Sequence, residues 1–166
     1  MIGRAAAIAL SLALGRGLPA YAQTPSPVPG VTVSGGYAGF IDEGLIDHGT
    51  LGAGAEWVLT RHVAVGPEVI YAIGPGSDRD LFVLGVVRAG VLPYSRPVVP
   101  FVTAGAGLMR NSMSFRGSSF SSSEGAFVFG GGVRLRLSSR AFVAPEFVFG
   151  WEPHVRVGVT AGFTLR

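Results

Sequence analysis

The sequence predicts an all-β protein, an eight-stranded antiparallel up-and-down transmembrane β-barrel, and three observations carry that prediction. Apolar residues alternate with Gly or polar residues at a period of two over runs of about ten residues, the length of a tilted membrane strand. No stretch after residue 22 is long and apolar enough for a membrane helix, so only strands could cross a bilayer. Gly supplies 26 of 166 residues and charged residues only 14%. Those are about double and half of ordinary usage, which argues against disorder and against nucleic-acid binding.

In chain order, the first element is an address. Met1 to Arg4 give a basic start, Ala5 to Leu14 an apolar middle, and Ala20-Tyr21-Ala22 a small-residue cut site. This is the pattern of a secretory signal peptide cleaved after Ala22. Without Arg4 and Arg16 the balance of 13 basic against 10 acidic residues becomes 11 against 10. The mature chain is therefore close to neutral, and its basic residues, all Arg, imply no acidic partner. Residues 23–30, with three prolines, read as a flexible N-terminal linker.

Strands are expected at 31–41, 49–60, 63–73, 80–91, 99–109, 125–137, 141–151 and 154–165, so that 31–166 forms one barrel domain. Strand eight shows the alternation most clearly. Val155, Val157, Val159, Ala161, Phe163 and Leu165 fall on one face, and His154, Arg156, Gly158, Thr160, Gly162 and Thr164 on the other. The connections 60–62 and 138–140 are tight, whereas 42–48, 74–79 and the Ser-rich 110–124 are longer. With both termini in the periplasm, the longer loops fall outside the cell. A shift of 78 residues superposes 51–75 on 129–153, matching Gly52 with Gly130, Gly54 with Gly132, Pro67-Glu68 with Pro145-Glu146 and Pro75 with Pro153. Strands two and three thus repeat as strands six and seven.

The two faces differ in chemistry. One carries aromatic and aliphatic residues without a charge; the other carries Gly with Glu56, Glu68, Arg88, Arg134, Arg136, Glu146 and Arg156. With the apolar face inward, an interior just wide enough for side chains would be overfilled by aromatics, and the Gly-rich exterior would be poor in charge. The inverted packing turns the aromatics to lipid and leaves room for the seven charged residues to pair inside. They are read as a structural ion-pair network that plugs the lumen and leaves no open pore. Trp57 and Phe163 then mark the periplasmic rim, and Tyr71, Phe127 and Trp151 the outer rim. Pro67 and Pro145 fall within strands, where each removes a ladder donor, and a bulge or local distortion is expected there.

These residues resemble the small bacterial outer-membrane β-barrel proteins, the OmpA/OmpX-like outer membrane protein beta-barrel domain group. The carriers are Leu51 to Arg61, Val65-Gly66-Pro67-Glu68, the Val102 to Gly107 strand and the closing Gly158 to Arg166, within a resemblance running from about Val31 to Arg166. It implies an outer-membrane location in a Gram-negative bacterium, contact with outer-membrane lipid and lipopolysaccharide, and a monomer inserted by the barrel-assembly machinery. Members of the group usually end in an aromatic residue; here Phe163 is the nearest aromatic to the terminal Leu165-Arg166.

Some barrels of this architecture modify lipid A, so catalytic residues were sought. His48 lies among Asp42, Glu43 and Asp47, His62 in a tight turn, and His154 across a strand from Ser118 to Ser123. None has a Ser placed as nucleophile with an orienting acid, and no enzyme activity is expected. The acids around His48, together with Asp78 and Asp80, lack the spacing of a calcium loop, and no metal or other cofactor is expected. Gly130-Gly131-Gly132 is followed by no Lys-Ser/Thr and is not a phosphate loop. With no Cys, disulfides and thiolate metal sites are ruled out. The stretch 110–124 is the surface best suited to lipopolysaccharide or a host molecule; its plain reading is a loop with no dedicated partner. The expected role is structural or surface-interacting. The alternatives are a lipid-modifying enzyme and a secreted soluble barrel holding an apolar ligand.

Overall fold

The computed structural model describes residues 27–41, 45–115, 118–151 and 153–165. The signal-peptide segment, the first residues of the expected linker, and Asp42 and Glu43 lie outside them. Eight strands follow in order: β1 Val28–Ile41, β2 Leu45–Val58, β3 Val63–Ile73, β4 Arg79–Gly90, β5 Val98–Phe115, β6 Ser118–Arg136, β7 Ala141–Gly150 and β8 His154–Thr164. Each pairs antiparallel with the next, and β1 pairs with β8 from Gly30↔Thr164 to Phe40↔His154, closing the barrel. Closure leaves no sheet edge within the ring, which a chain surrounded by lipid requires.

Side-chain parity decides inside from outside. Val33, Leu51 and Val102 are each about 60% exposed on the outer wall, with Phe129, Val157, Val159 and Phe163 beside them, while Ile70 and Leu84 are at most 2% exposed. The packing is therefore the inverted one, and a soluble barrel with its aromatics inside is not what the chain forms. Trp57 and Phe163 lie outward near the end that carries the termini; Tyr71, Phe127 and Trp151 lie outward near the far end.

Three boundaries differ from expectation. Strand β1 starts at Val28, so Pro29 and Gly30 stand opposite Trp57 and Glu56 in the ladder. Strand β2 starts at Leu45, absorbing half of the expected 42–48 loop. The largest difference is at 110–124, which is no loop: β5 and β6 continue as a hairpin paired from Arg110↔Ser123 to Phe115↔Ser118. One face of that extension is Arg and Ser and the other sets the Met113–Phe120 pair beside Asn111 and Ser122, so the alternation is too weak to report it, and backbone bonds hold its ladder. The Ser77 hydroxyl, donating to the Ser114 carbonyl at 2.6 Å, fastens it to the neighbouring turn. The far end is thus extended by strand, and the longest described connection, 91–97, lies at the termini end.

The two prolines distort the ladder without a bulge. Between Gly54↔Glu68 and Trp57↔Val65 the pairing lapses, yet both strands advance by the same three residues. The same lapse falls between Gly132↔Glu146 and Leu135↔Val143. Each proline, lacking an N–H, costs its strand one bond, and the register survives. A Cβ on Gly54 would stand 2.7 Å from the Pro67 carbonyl oxygen, and one on Gly132 2.4 Å from that of Pro145. The matched glycines let the neighbouring backbone come this close, so the sequence repeat is a repeat of one closely packed strand pair.

The lumen is layered. Phe40, Ile70, Phe82, Leu84, Met109, Val128 and Val148 form an apolar plug towards the far end. Phe101, Phe142 and Ala144, with Ala64, Tyr94 and Val99, close the termini end. Between them lies a girdle of charged and hydroxyl side chains.

Candidate functional site: the lumen girdle and the far-end mouth

Strands β2 and β6 face each other across the barrel, as do β3 and β7. This brings the repeat-related Glu56 and Arg134 together at 2.7 Å. The Arg134 guanidinium also stacks 3.5 Å over the Phe142 ring and 4.8 Å from that of Tyr94. Arg88 reaches Glu68 at 2.9 Å and Glu146 at 3.7 Å, and Arg156 approaches Glu68 at 3.8 Å. Glu146 also accepts a hydrogen bond from the Thr160 hydroxyl at 2.5 Å. Three carboxylates thus meet three guanidinium groups, so the girdle is neutral as a whole. Arg136, the seventh sequence candidate, is not among them. It lies exposed at the rim and donates to the Tyr94 carbonyl at 2.8 Å, because residue 136 ends β6 beyond the girdle.

Little space remains around these groups. Two voids, one beside Glu68, Glu146 and Arg156 and one beside Glu56, Arg88 and Arg134, measure about 10 Å³ each. That is at the lower limit for a single water. Tyr94, in the 91–97 connection, seals the termini end. Burial, and then the Glu56 carboxylate, push its phenol up to about 12. It therefore stays protonated at physiological pH and donates to the Arg88 carbonyl at 3.2 Å.

The far-end mouth holds a second cluster, which parity alone does not reveal. Asp47 points outward and accepts a hydrogen bond from Tyr37 at 2.5 Å, while its neighbour His48 points inward. The His48 Nε2 lies 3.1 Å from Asp78 and 3.3 Å from Asp80. His62 stays in its turn, with Nδ1 3.0 Å from the Gly90 carbonyl. His154 is buried in the barrel, its ring 4.9 Å from Phe40 and 5.4 Å from Phe82, with Nδ1 3.0 Å from the Trp151 carbonyl. On the outer surface, Ile41, Phe127, Phe129, Phe149 and Trp151 line an open apolar groove of about 600 Å³. It lies where β6 runs on past the end of the shorter β7.

A closed ring of eight antiparallel strands, apolar outside and ion-paired within, defines the class: a small transmembrane β-barrel of the outer-membrane type. Three solved structures share the fold. Neisserial surface protein A (NspA) matches at TM-score 0.71 and 9% identity, over 87% of this chain and 100% of its own. The N-terminal β-barrel domain of Pseudomonas aeruginosa OprF matches at TM-score 0.64 and 12% identity, over 84% and 100%. Ail, the attachment invasion locus protein of Yersinia pestis, solved with the heparin analogue sucrose octasulfate, matches at TM-score 0.58 and 13% identity, over 83% and 97%. No protein-family model matches the chain, and no curated protein sequence does. At these identities the likeness is one of fold.

Proposed function

We propose that this chain is an integral outer-membrane barrel with a sealed lumen and a structural or surface-interacting role, not an enzyme. The carrying observation is the interior itself, where six paired charges and an apolar plug leave voids of only about 10 Å³ at the girdle. On this reading Glu56, Glu68, Arg88, Arg134, Glu146 and Arg156 hold the walls together instead of lining a path. Any ion entering would have to break these pairs without water to replace them, a cost of several kcal/mol per charge. Outer-membrane lipid covers the apolar wall. Lipopolysaccharide meets the far end, where the β5–β6 hairpin stands clear of the ring. Beyond the Trp151 N–H, which donates to the Phe127 carbonyl at 2.8 Å, β6 has no ladder partner on its β7 side among the described residues, which leaves an edge for surface contact. The chain is secreted by a signal peptide cut after Ala22, inserted by the barrel-assembly machinery, and works as a monomer without nucleic acid or an organic cofactor.

Planar-bilayer recording of the purified, refolded protein tests the sealed lumen. The expected trace has no unitary conductance; steady, reproducible openings would overturn the reading.

A further inference from the structure

Among the described residues, no ion pair joins the His48, Asp78 and Asp80 cluster to the girdle. His48 and Asp80 are 2% and 1% exposed, and Phe40 packs against the imidazole at 4.7 Å. The ring is oriented from behind, since its Nδ1 lies 3.3 Å from the Ile46 carbonyl, which can only accept. A proton on that nitrogen satisfies the contact. In the neutral ring Nε2 is then a bare lone pair, aimed at two carboxylate oxygens that also only accept. In that tautomer three acceptors converge at one point, an arrangement that a cation between them would satisfy.

A proton alone does not balance the site. His48 is the sole ion-pair partner of Asp78 and Asp80 among the described residues, so an imidazolium against two carboxylates leaves one net negative charge above the apolar plug. Arg79, between the two aspartates in sequence, makes no ion pair with either. Its Nη1 donates instead to the backbone carbonyls of Gly74 and Asp78, at 3.1 and 2.5 Å. A neutral imidazole, two carboxylates and a divalent cation sum to zero.

The geometry agrees. The three ligand atoms lie within 4.8 Å of one another, and the separations from Nε2 are 3.1 and 3.3 Å. Ligands about 2.1 Å from a tetrahedral ion stand about 3.4 Å apart. Asp80 is aimed by a second contact. Asn111 donates to its Oδ1 at 2.8 Å, which leaves Oδ2 for the shared point. A carbonyl accepting from the imidazole and an amide donating to the carboxylate form the kind of outer shell that metal sites use. Gly74 makes room for the imidazole, because a Cβ there would stand 2.3 Å from Nε2. Asp78, 20% exposed, opens the cluster to solvent and provides the entry path. One imidazole and two carboxylates suit a borderline transition metal; calcium prefers six to eight oxygens.

We propose that His48, Asp78 and Asp80 bind one divalent transition-metal ion of the zinc class at the far-end mouth of the barrel. The ion ties β2 to the β3–β4 turn and completes the plug with a charge-neutral cap. The site does not depend on the lumen being sealed, so a conducting barrel could still carry it.

Calorimetric titration of the EDTA-treated, detergent-folded protein with ZnCl₂ tests the proposal. The expected result is one Zn²⁺ per chain at micromolar affinity or tighter, undisturbed by millimolar Ca²⁺ or Mg²⁺. His48→Gln and Asp80→Asn should each weaken uptake about 100-fold, and the outer-shell Asn111→Ala about 10-fold. All three variants should keep the heat-dependent gel shift of the folded barrel without metal. A folded wild-type protein that takes up no Zn²⁺ would make the cluster a plain ion pair and overturn the proposal. So would uptake that His48→Gln and Asp80→Asn leave unchanged, since the ion would then bind elsewhere.

Discussion

At the scale of single residues, what matters in this barrel is how its interior charges are matched. Glu56 and Arg134 are 78 positions apart and meet at 2.7 Å because the repeat sets them on opposite walls at one level. Removing one partner strands the other in a dry interior, which is far costlier than removing both. Arg134→Met should therefore lower the stability of the detergent-folded barrel by about 3–5 kcal/mol. The double variant Glu56→Met/Arg134→Met should recover part of that loss, as measured by urea unfolding. Equal losses in the single and double variants would mean that the stacking of Arg134 on Phe142, and not the ion pair, is what counts. The girdle residues were legible in the sequence because charge on one parity and grease on the other is a local signal. Arg136 shares that parity and still falls outside, because parity gives a face and not a height. The His48 cluster was hidden for a related reason. Its members meet only because β2, β3 and β4 align Gly49, Ile73 and Arg79 in one row, a register set by the 74–78 turn.

At the scale of elements, legibility followed chemical contrast between faces. Strands β2 and β8 have one largely small or polar face, and β3 and β7 one face marked by Gly and Glu, and all four lie within a few residues of their expected ranges. Along β4, Phe82, Leu84 and Val86 point inward while Leu81, Val83 and Val87 point outward, so both faces are apolar and the inward plug gave no alternation. The β5–β6 extension is hidden for the opposite reason, because one face is Arg and Ser and the other offers only scattered apolar residues such as Met113 and Phe120 among polar ones. Up to Ser112 that extension is laddered to β4, with Asn111 bonded to Asp80; beyond it, the described contacts to the rest of the molecule are those of Ser77 with Ser114. Replacing 112–121 by a two-residue Asn-Gly turn, which suits the right-handed twist of the flanking strands, should leave the barrel closed. The shortened protein should still run faster unboiled than boiled on SDS gels. Loss of the fast-running form would show that the hairpin helps to hold the ring.

At the scale of the whole molecule, the chain is a sheet closed on itself with its usual polarity reversed. A soluble domain of this size hides its aromatics; this one displays Tyr37, Trp57, Tyr71, Phe127, Phe129, Phe147, Phe149, Trp151 and Phe163. Such a surface is stable only against an apolar solvent, and the interior can be narrow because matched charges and small residues fill it. The two similar hairpins, β2–β3 and β6–β7, each with its close Gly-Pro contact, supply four of the six girdle charges, Glu56, Glu68, Arg134 and Glu146.

The most direct test of that inversion uses the absence of native Cys. Nitroxide labels on Val69→Cys and Ile70→Cys, neighbours on β3, would be read by electron paramagnetic resonance in reconstituted bilayers. Residue 69 should be relaxed strongly by oxygen and hardly by a water-soluble nickel chelate, and residue 70 should be shielded from both. A label at 69 open to the chelate, with 70 open to oxygen, would contradict the account and place the apolar wall inside.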